Sequence, residues 1–401
     1  MERRQTTMFE KLSKAEAEKT VKERTELFLD VVRKRKKPDR VPLVSNDGLW
    51  KLIDQDIKFS EGLHDYDTLH EAVCKYQEMY GFDAHADYCV LNKVAFQESF
   101  GKPRFIITDE PPTLSITDTF SMKDEDYPAL AEKGIVKFIF EDMLCRHYEY
   151  ESKEEAVEHL KKAVQELIRY NEYCGRIYGT MVEEYGVPNL CAGGYQMPFE
   201  FFVSGLRGLK NTSLDLRRHK EEMIEAMEAI DERLWGEFMS YAPYIENDGT
   251  FVFDTYTCPM AYTLLSPKQF EKFYWPWMKK YFDFVAEHDQ TAFIYAEGAI
   301  KNKLEFLQDL EDKRFGILLE QDDPVEIREK LPNFTLMGGY PTTLLGEGTV
   351  EQCVDKAKEM METVNYDGNW IFSFDKLASF EGGVKRENLL AVLDYLRSVK
   401  L

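Results

Sequence analysis

Several things are scarce or missing in this chain of 401 residues. It has no apolar run near the ~20 residues of a membrane span, so no membrane insertion is expected. It has no basic surplus: 51 Lys and Arg stand against 73 Asp and Glu, a net charge of -22. A nucleic-acid partner needs a basic face, so that class is excluded. There is no Cys-x-x-Cys among the seven cysteines, and the odd count argues against a disulfide framework. The first residues, MERRQTTMFEK, carry early positive charge without an apolar core. No secretory signal is expected, and the cytoplasm is the expected location. The first strand is followed by no G-x-G-x-x-G, and there is no P-loop.

What is present is an alternation. Residues 14–37 predict an exposed helix, and residues 1–39 are read as a helical extension ahead of a single domain over 40–401. Strands are expected in 40–47 and 82–92, and irregular or hairpin structure over 93–126. A long helix is expected over 152–186, broken near Gly175. From residue 187 onward strand and helix alternate. Strands are expected in NLCAGG, GTFVFDTYTC, FIYA, FGILLE, FTLMGG and NWIFSFD, and helices over 213–242, 266–288, 323–332, 349–364 and 385–400. Repeated βα units specify a parallel sheet with helical crossovers. The expected fold is α/β, a (β/α)8 TIM-like barrel with an N-terminal helical extension and an insertion in its first half.

In such a barrel the polar groups at strand C-terminal ends line the active site. Those ends carry Asn46, His85, Asp87, Tyr195, Asp254, Tyr256, Tyr295, Glu297, Glu320 and Asp375. Each has a bland reading. Asp254 could cap a helix, and a lone His85 is more often a hydrogen-bonded scaffold residue. The accumulation is harder to explain that way. Converging carboxylates repel unless a cation or shared protons offset the charge. FIYAEG is the sharpest case, because residues i and i+2 of a strand point the same way. Tyr295 and Glu297 therefore aim at one spot.

Four stretches carry a resemblance: NLCAGGYQMPFEFF, DTYTCPMAYTLLSPKQFEKFYWPWMKKYFDFV, TAFIYAEGAIKNKLEFL and LMGGYPTTLLGEGTVEQCVDKAKEMME. Together they resemble the uroporphyrinogen decarboxylase superfamily. The resemblance implies a (β/α)8 barrel and one of two activities. The decarboxylase arm grips a polycarboxylate with an Arg-rich loop after the first strand. Here VPLVSNDGLWKLIDQ has no Arg, and only Asp87 is similar to that arm's catalytic Asp. The other arm contains corrinoid-linked methyltransferases, which carry H-x-C-G where this chain has Tyr295-Ala-Glu-Gly298. Their zinc-binding His and Cys are thus replaced, and the last βα loop offers Asp375 and Glu381 in place of a Cys. Glu320 stands where methionine synthase relatives place a ligand Glu.

The resemblance therefore implies oxygen chemistry in place of thiol chemistry. The expectation is an enzyme, a methyltransferase that demethylates a methoxylated small molecule, aromatic ones included, and delivers the methyl to the Co(I) corrinoid of a partner protein. Tyr295, Glu297 and Asp87 are the expected catalytic residues. His85, Tyr195, Asp254, Tyr256 and Asn46 would bind substrate. Glu297, Glu320 and Asp375 would hold a divalent metal, zinc by preference. Two other readings stay open: a decarboxylase or lyase acting on a smaller acid, and a barrel that only binds a ligand. A homo-oligomer is also left open.

Overall fold

The computed structural model describes residues 9–90, 92–117, 120–310 and 314–401. Eight strands run parallel: β1 (Val44–Ser45), β2 (Ala84–His85), β3 (Asn189–Gly194), β4 (Phe251–Thr257), β5 (Ala292–Ala296), β6 (Phe315–Leu319), β7 (Thr335–Gly338) and β8 (Trp370–Ile371). Each pairs with the next in sequence order. The sheet closes on itself where Val44 N–H donates to Phe372 O (2.9 Å) and Phe372 N–H donates to Pro42 O (3.0 Å). This is the expected (β/α)8 barrel, which leaves no open sheet edge.

The barrel is filled, and one end is plugged. Val44, Ala84, Leu190, Phe253, Phe293, Leu318, Met337 and Ile371 form one buried cluster with Phe28, Val31 and Val32 of the helix Lys14–Val32. That helix is also tied to the chain just ahead of two strands. Thr25 Oγ1 donates to Gly249 O (2.9 Å), and Arg24 Nη1 donates to Gly186 O (2.9 Å). It therefore covers the N-terminal ends of the strands. The C-terminal ends are left for function.

The insertion lies between β2 and the helix Lys153–Tyr185. It holds an antiparallel hairpin (Phe105–Asp109 with Pro112–Ile116) and short helices, one of which widens into a π turn at Ile139–Met143.

Four helix boundaries differ from expectation. The helix Lys14–Val32 ends five residues before residue 37. The helix Lys153–Tyr185 runs unbroken through Gly175. A mid-helix Gly costs only about 1 kcal/mol relative to Ala, and the buried stripe Tyr173, Ile177, Met181 and Tyr185 outweighs it. The stretch 213–242 splits into Gly208–Arg218 and Lys220–Met239, because His219 leaves helical geometry (φ -131, ψ 44). The stretch 266–288 begins as expected, with a capping box of Ser266 and Gln269, but splits into Pro267–Phe273 and Trp275–Glu287. Pro276 has no N–H to continue the first helix and crowds the preceding turn, so Tyr274 turns out of it (φ -137, ψ -51).

Candidate active site

A cavity of about 220 Å³ opens at the C-terminal ends of the strands. Asn46, His85, Asp87, Tyr256, Tyr295 and Glu297 line it, as expected from the strand-end pattern. Cys191, Gln196, Cys258 and Tyr178 complete much of the wall. At roughly 30 Å³ per water, the space holds about seven waters, or one single-ring compound.

One side of the mouth is acidic. β5 delivers Tyr295 and Glu297, and Gly298 makes the turn that follows. Gly298 has φ +76, a left-handed conformation that an L side chain rarely adopts, and a Cβ there would meet Thr263 at 2.7 Å. The Gly298 N–H donates to Glu320 Oε2. Burial raises the Glu297 carboxyl above its ordinary range, and the Glu320 charge adds to the effect. The Cys258 thiol donates to Glu297 Oε1 across 3.7 Å. Burial, then Glu297 and Glu200, push that thiol far up, so it stays protonated. Asn46 Nδ2 donates to Tyr295 Oη at 3.2 Å, and the phenol's own contact with Asn46 Oδ1 is long, 3.5 Å, so a ligand oxygen in the cavity competes for its proton. The Tyr295 phenol is raised by burial first, with Glu297 also raising it, and remains a neutral donor.

The opposite side offers acceptors. His85 ends β2, and its ring nitrogen Nε2 lies 2.8 Å from Gln77 Oε1. Gln77 Nε2 is already committed to Phe82 O (3.0 Å), so its oxygen faces the ring and His85 Nε2 carries the proton. Nδ1 is then a bare, buried acceptor without a hydrogen-bond partner among the described residues. Burial, and then Lys51 and Arg24, hold the ring neutral. Gln196 Oε1 is a second buried acceptor without a partner among them. Asp87 Oδ1 accepts from Val90 N–H at 2.9 Å.

Behind the acid side, Glu200 organises the loop after β4. It accepts from the N–H groups of Met260 (2.9 Å) and Ala261 (3.0 Å) and from the Tyr274 hydroxyl (2.6 Å). Burial pushes its carboxyl up to about 7. This fixes the segment on which Cys258 sits.

A family model described as uroporphyrinogen decarboxylase (URO-D) matches residues 150–396. The chain belongs to the uroporphyrinogen decarboxylase family. A solved structure of a methyltransferase from Methanosarcina mazei superposes with a TM-score of 0.58 over 93% of this chain and 98% of that chain. The identity is 15%, so this likeness speaks for the fold. No protein of curated function matches the chain.

Three site expectations need correcting within this family barrel. Tyr195 is not in the cavity. It is 2% exposed and donates to Asp231 Oδ1, with its ring edge-on to Trp235 in the outer helix layer. Its neighbour Gln196 faces the mouth instead, since one step along an extended chain reverses the face. Asp254 is also turned away. Its Oδ2 accepts from Thr291 N–H (2.6 Å) and Thr291 Oγ1 (2.9 Å), in the loop that enters β5. β4 does not alternate strictly: Phe253 stacks on Phe293 inside the barrel, and Tyr256, three residues on, lines the mouth. With Phe253 inside the barrel, one step along the strand turns Asp254 outward. Asp375, finally, accepts from Thr342 N–H (3.0 Å) and Thr342 Oγ1 (2.5 Å), holding the start of the helix Thr342–Glu347.

These positions bear on a family metal. A catalytic zinc takes three protein ligands. Glu297, Glu320 and Asp375 do not gather: Asp375 is committed to a helix start, and Glu320 is tied to Gly298. Among the described residues the one set of three metal-ligating groups in reach of a common ion is Asp124, Asp215 and His219. It is not at the mouth, and Arg207 fills the role of cation there. Arg207 Nε donates to Asp215 at 2.6 Å, and Arg207 Nη2 donates to Asp124. Among the described residues, those at the mouth do not form a zinc centre.

Proposed function

We propose that this chain is a methyltransferase that demethylates a methoxylated small molecule and hands the methyl to the reduced corrinoid of a partner protein. The cavity has room for a single ring, so cobalt must reach the methyl from a separate protein docked over the mouth. The partner's reduced corrinoid would supply the electron pair of the new bond to the methyl carbon. The carbon–oxygen bond breaks, and its pair stays on oxygen. This chain's task is the charge developing on that oxygen.

The observation that carries the reading is the proton-holding group of Tyr295, Glu297 and Cys258. Glu297 keeps its proton above the usual carboxylate range and gives it to the leaving oxygen as general acid. Tyr295, fixed by Asn46, donates a hydrogen bond to the same oxygen. The Cys258 thiol orients Glu297. His85 Nδ1 and Gln196 Oε1 accept from a donor on the substrate, so the preferred substrate carries a hydroxyl or amine besides its methoxyl group. Asp87 and Tyr256 complete the wall that orients it.

The test is anaerobic mixing with a reduced corrinoid protein and a panel of methoxyarenes, with and without a free hydroxyl. The expected outcome is the methyl-Co(III) spectrum, strongest with the hydroxylated members. Silence across the panel would overturn the reading. Asp87 favours a second reading, decarboxylation of a small acid, because it keeps the family's position at the cavity wall. Carbon dioxide release without any corrinoid would identify it.

A further inference from the structure

A second cavity, of about 200 Å³, lies in the insertion. The hairpin side contributes Lys102, Arg104 and Thr117, the short helices contribute His147 and Tyr148, and Gln97 closes the rim. Its floor is apolar and comes from two places in the sequence. Ile139 and Met143 belong to one π turn, and Leu206 belongs to another, Phe202–Leu206. π turns are rare interruptions of a helix and are frequent at functional sites.

The charge here runs against the rest of the molecule. In a chain of net charge -22, two permanent cations and a histidine share one small cavity. Lys102 has a partner, Glu149 (2.6 Å). The Arg104 backbone carbonyl is bonded to Thr117, but its guanidinium makes no hydrogen bond or ion pair with any described residue; the Tyr148 phenol and the His147 ring are its electrostatic neighbours. Burial works against its charge. A half-buried guanidinium without a carboxylate among the described residues is costly to hold unless an anion completes it. His147 accords with the same field. It lies below its ordinary value through burial first, then through Lys102 and Arg104. Its Nδ1 is 2.9 Å from Ser121 Oγ, leaving Nε2 for a ligand.

We propose that this cavity is a binding site for a small amphipathic anion, a carboxylate or phosphate monoester on a short apolar body. Arg104 holds the anionic head, and Met143, Ile139 and Leu206 take the tail. The site is separate from the barrel mouth, and nothing in the proposal depends on methyl transfer.

The experiment is calorimetric titration of the full chain with four probes: hexanoate, hexyl phosphate, hexanol and inorganic phosphate. The two amphipathic anions should bind at least tenfold more tightly than hexanol or inorganic phosphate. The stronger of the two identifies the head group. Arg104→Gln should weaken the bound anion about tenfold or more, the size of a lost charge-assisted hydrogen bond. Gly205→Leu is an independent variant, because a Cβ at Gly205 meets open space at the cavity wall. The added side chain should block binding without unfolding the protein. Saturation with the anion should raise the His147 pKa in NMR titration, since a nearby negative charge favours imidazolium. Binding that is indifferent to both variants, that is lost with Glu297→Gln instead, or that leaves His147 unmoved would overturn the proposal, as would no binding at millimolar concentration.

Discussion

The two sides of the barrel mouth are built from opposite kinds of group. β4 and β5 bring protons: the Cys258 thiol, the Glu297 carboxyl and the Tyr295 phenol. β2 and the segment after β3 bring lone pairs, on His85 Nδ1 and Gln196 Oε1. A site with donors all round would bind any anion. A site divided this way favours a ligand with a basic oxygen at one end and a donor at the other. The acid side should govern the chemical step, and the acceptor side should govern binding. That division can be attacked at four points.

Glu297→Gln has the largest expected effect. It keeps shape and polarity and removes the transferable proton. A lost general acid costs roughly 10²–10⁴ in rate, and the loss should appear in kcat with KM nearly unchanged. Single-turnover methyl transfer under saturating donor measures this directly. Full activity in the variant would strip Glu297 of its role. Next comes Tyr295→Phe, which deletes one hydrogen bond to the developing charge. The expected loss is on the order of 10² in kcat. An effect confined to KM would move Tyr295 to the binding side.

His85→Phe probes that other side. The ring remains able to pack between Phe82 and Tyr88, but the acceptor is gone. KM for a hydroxylated methoxyarene should rise about tenfold, the cost of an unmet buried donor. Its non-hydroxylated counterpart should barely respond. Equal effects on both substrates would mean that His85 supports the scaffold only.

The comparison also shows which parts of the site could be read from sequence. The strands β3 to β8 are apolar runs bounded by Gly, Pro and charged turns, so period and punctuation reveal them. Tyr295 and Glu297 follow from the same logic, because β5 alternates cleanly. Asp254 does not, because β4 shifts face between Phe253 and Tyr256, and nothing in GTFVFDTYTC marks the shift. Tyr195 and Gln196 differ by one step, and a strand end alone does not say which of two polar residues turns inward. Asp375 looks like a ligand because it ends the last strand run, yet its partner Thr342 lies on a different βα unit. Glu200 sits within a helix beside Phe199, Phe201 and Phe202, where a strand-end search does not look. Its hydrogen bonds to Met260 and Ala261 are long-range and have no local signature. Cys258 stands at the end of the same run in sequence, but its meaning comes only from Glu297 beside it.

The smallest expected effect is the most discriminating, because it concerns sign. A general acid works while protonated, so the rate of methyl transfer should fall as pH rises through the pKa of Glu297. Burial and the Glu320 charge raise that pKa, and the Cys258 hydrogen bond lowers it. Glu320→Gln removes a raising influence, so the falling limb should move to lower pH. Cys258→Ala removes a lowering one, so the limb should move to higher pH. The Cys258 displacement should not exceed about one pH unit, since a hydrogen bond contributes roughly 0.5–1.5 kcal/mol and one unit corresponds to about 1.4 kcal/mol. Both variants leave Glu297 in place, and neither adds a charge. Opposite displacements therefore report on Glu297 itself. If the two limbs move in the same direction, the titrating group is something else at the mouth, and the proton that reaches the leaving oxygen does not come from Glu297.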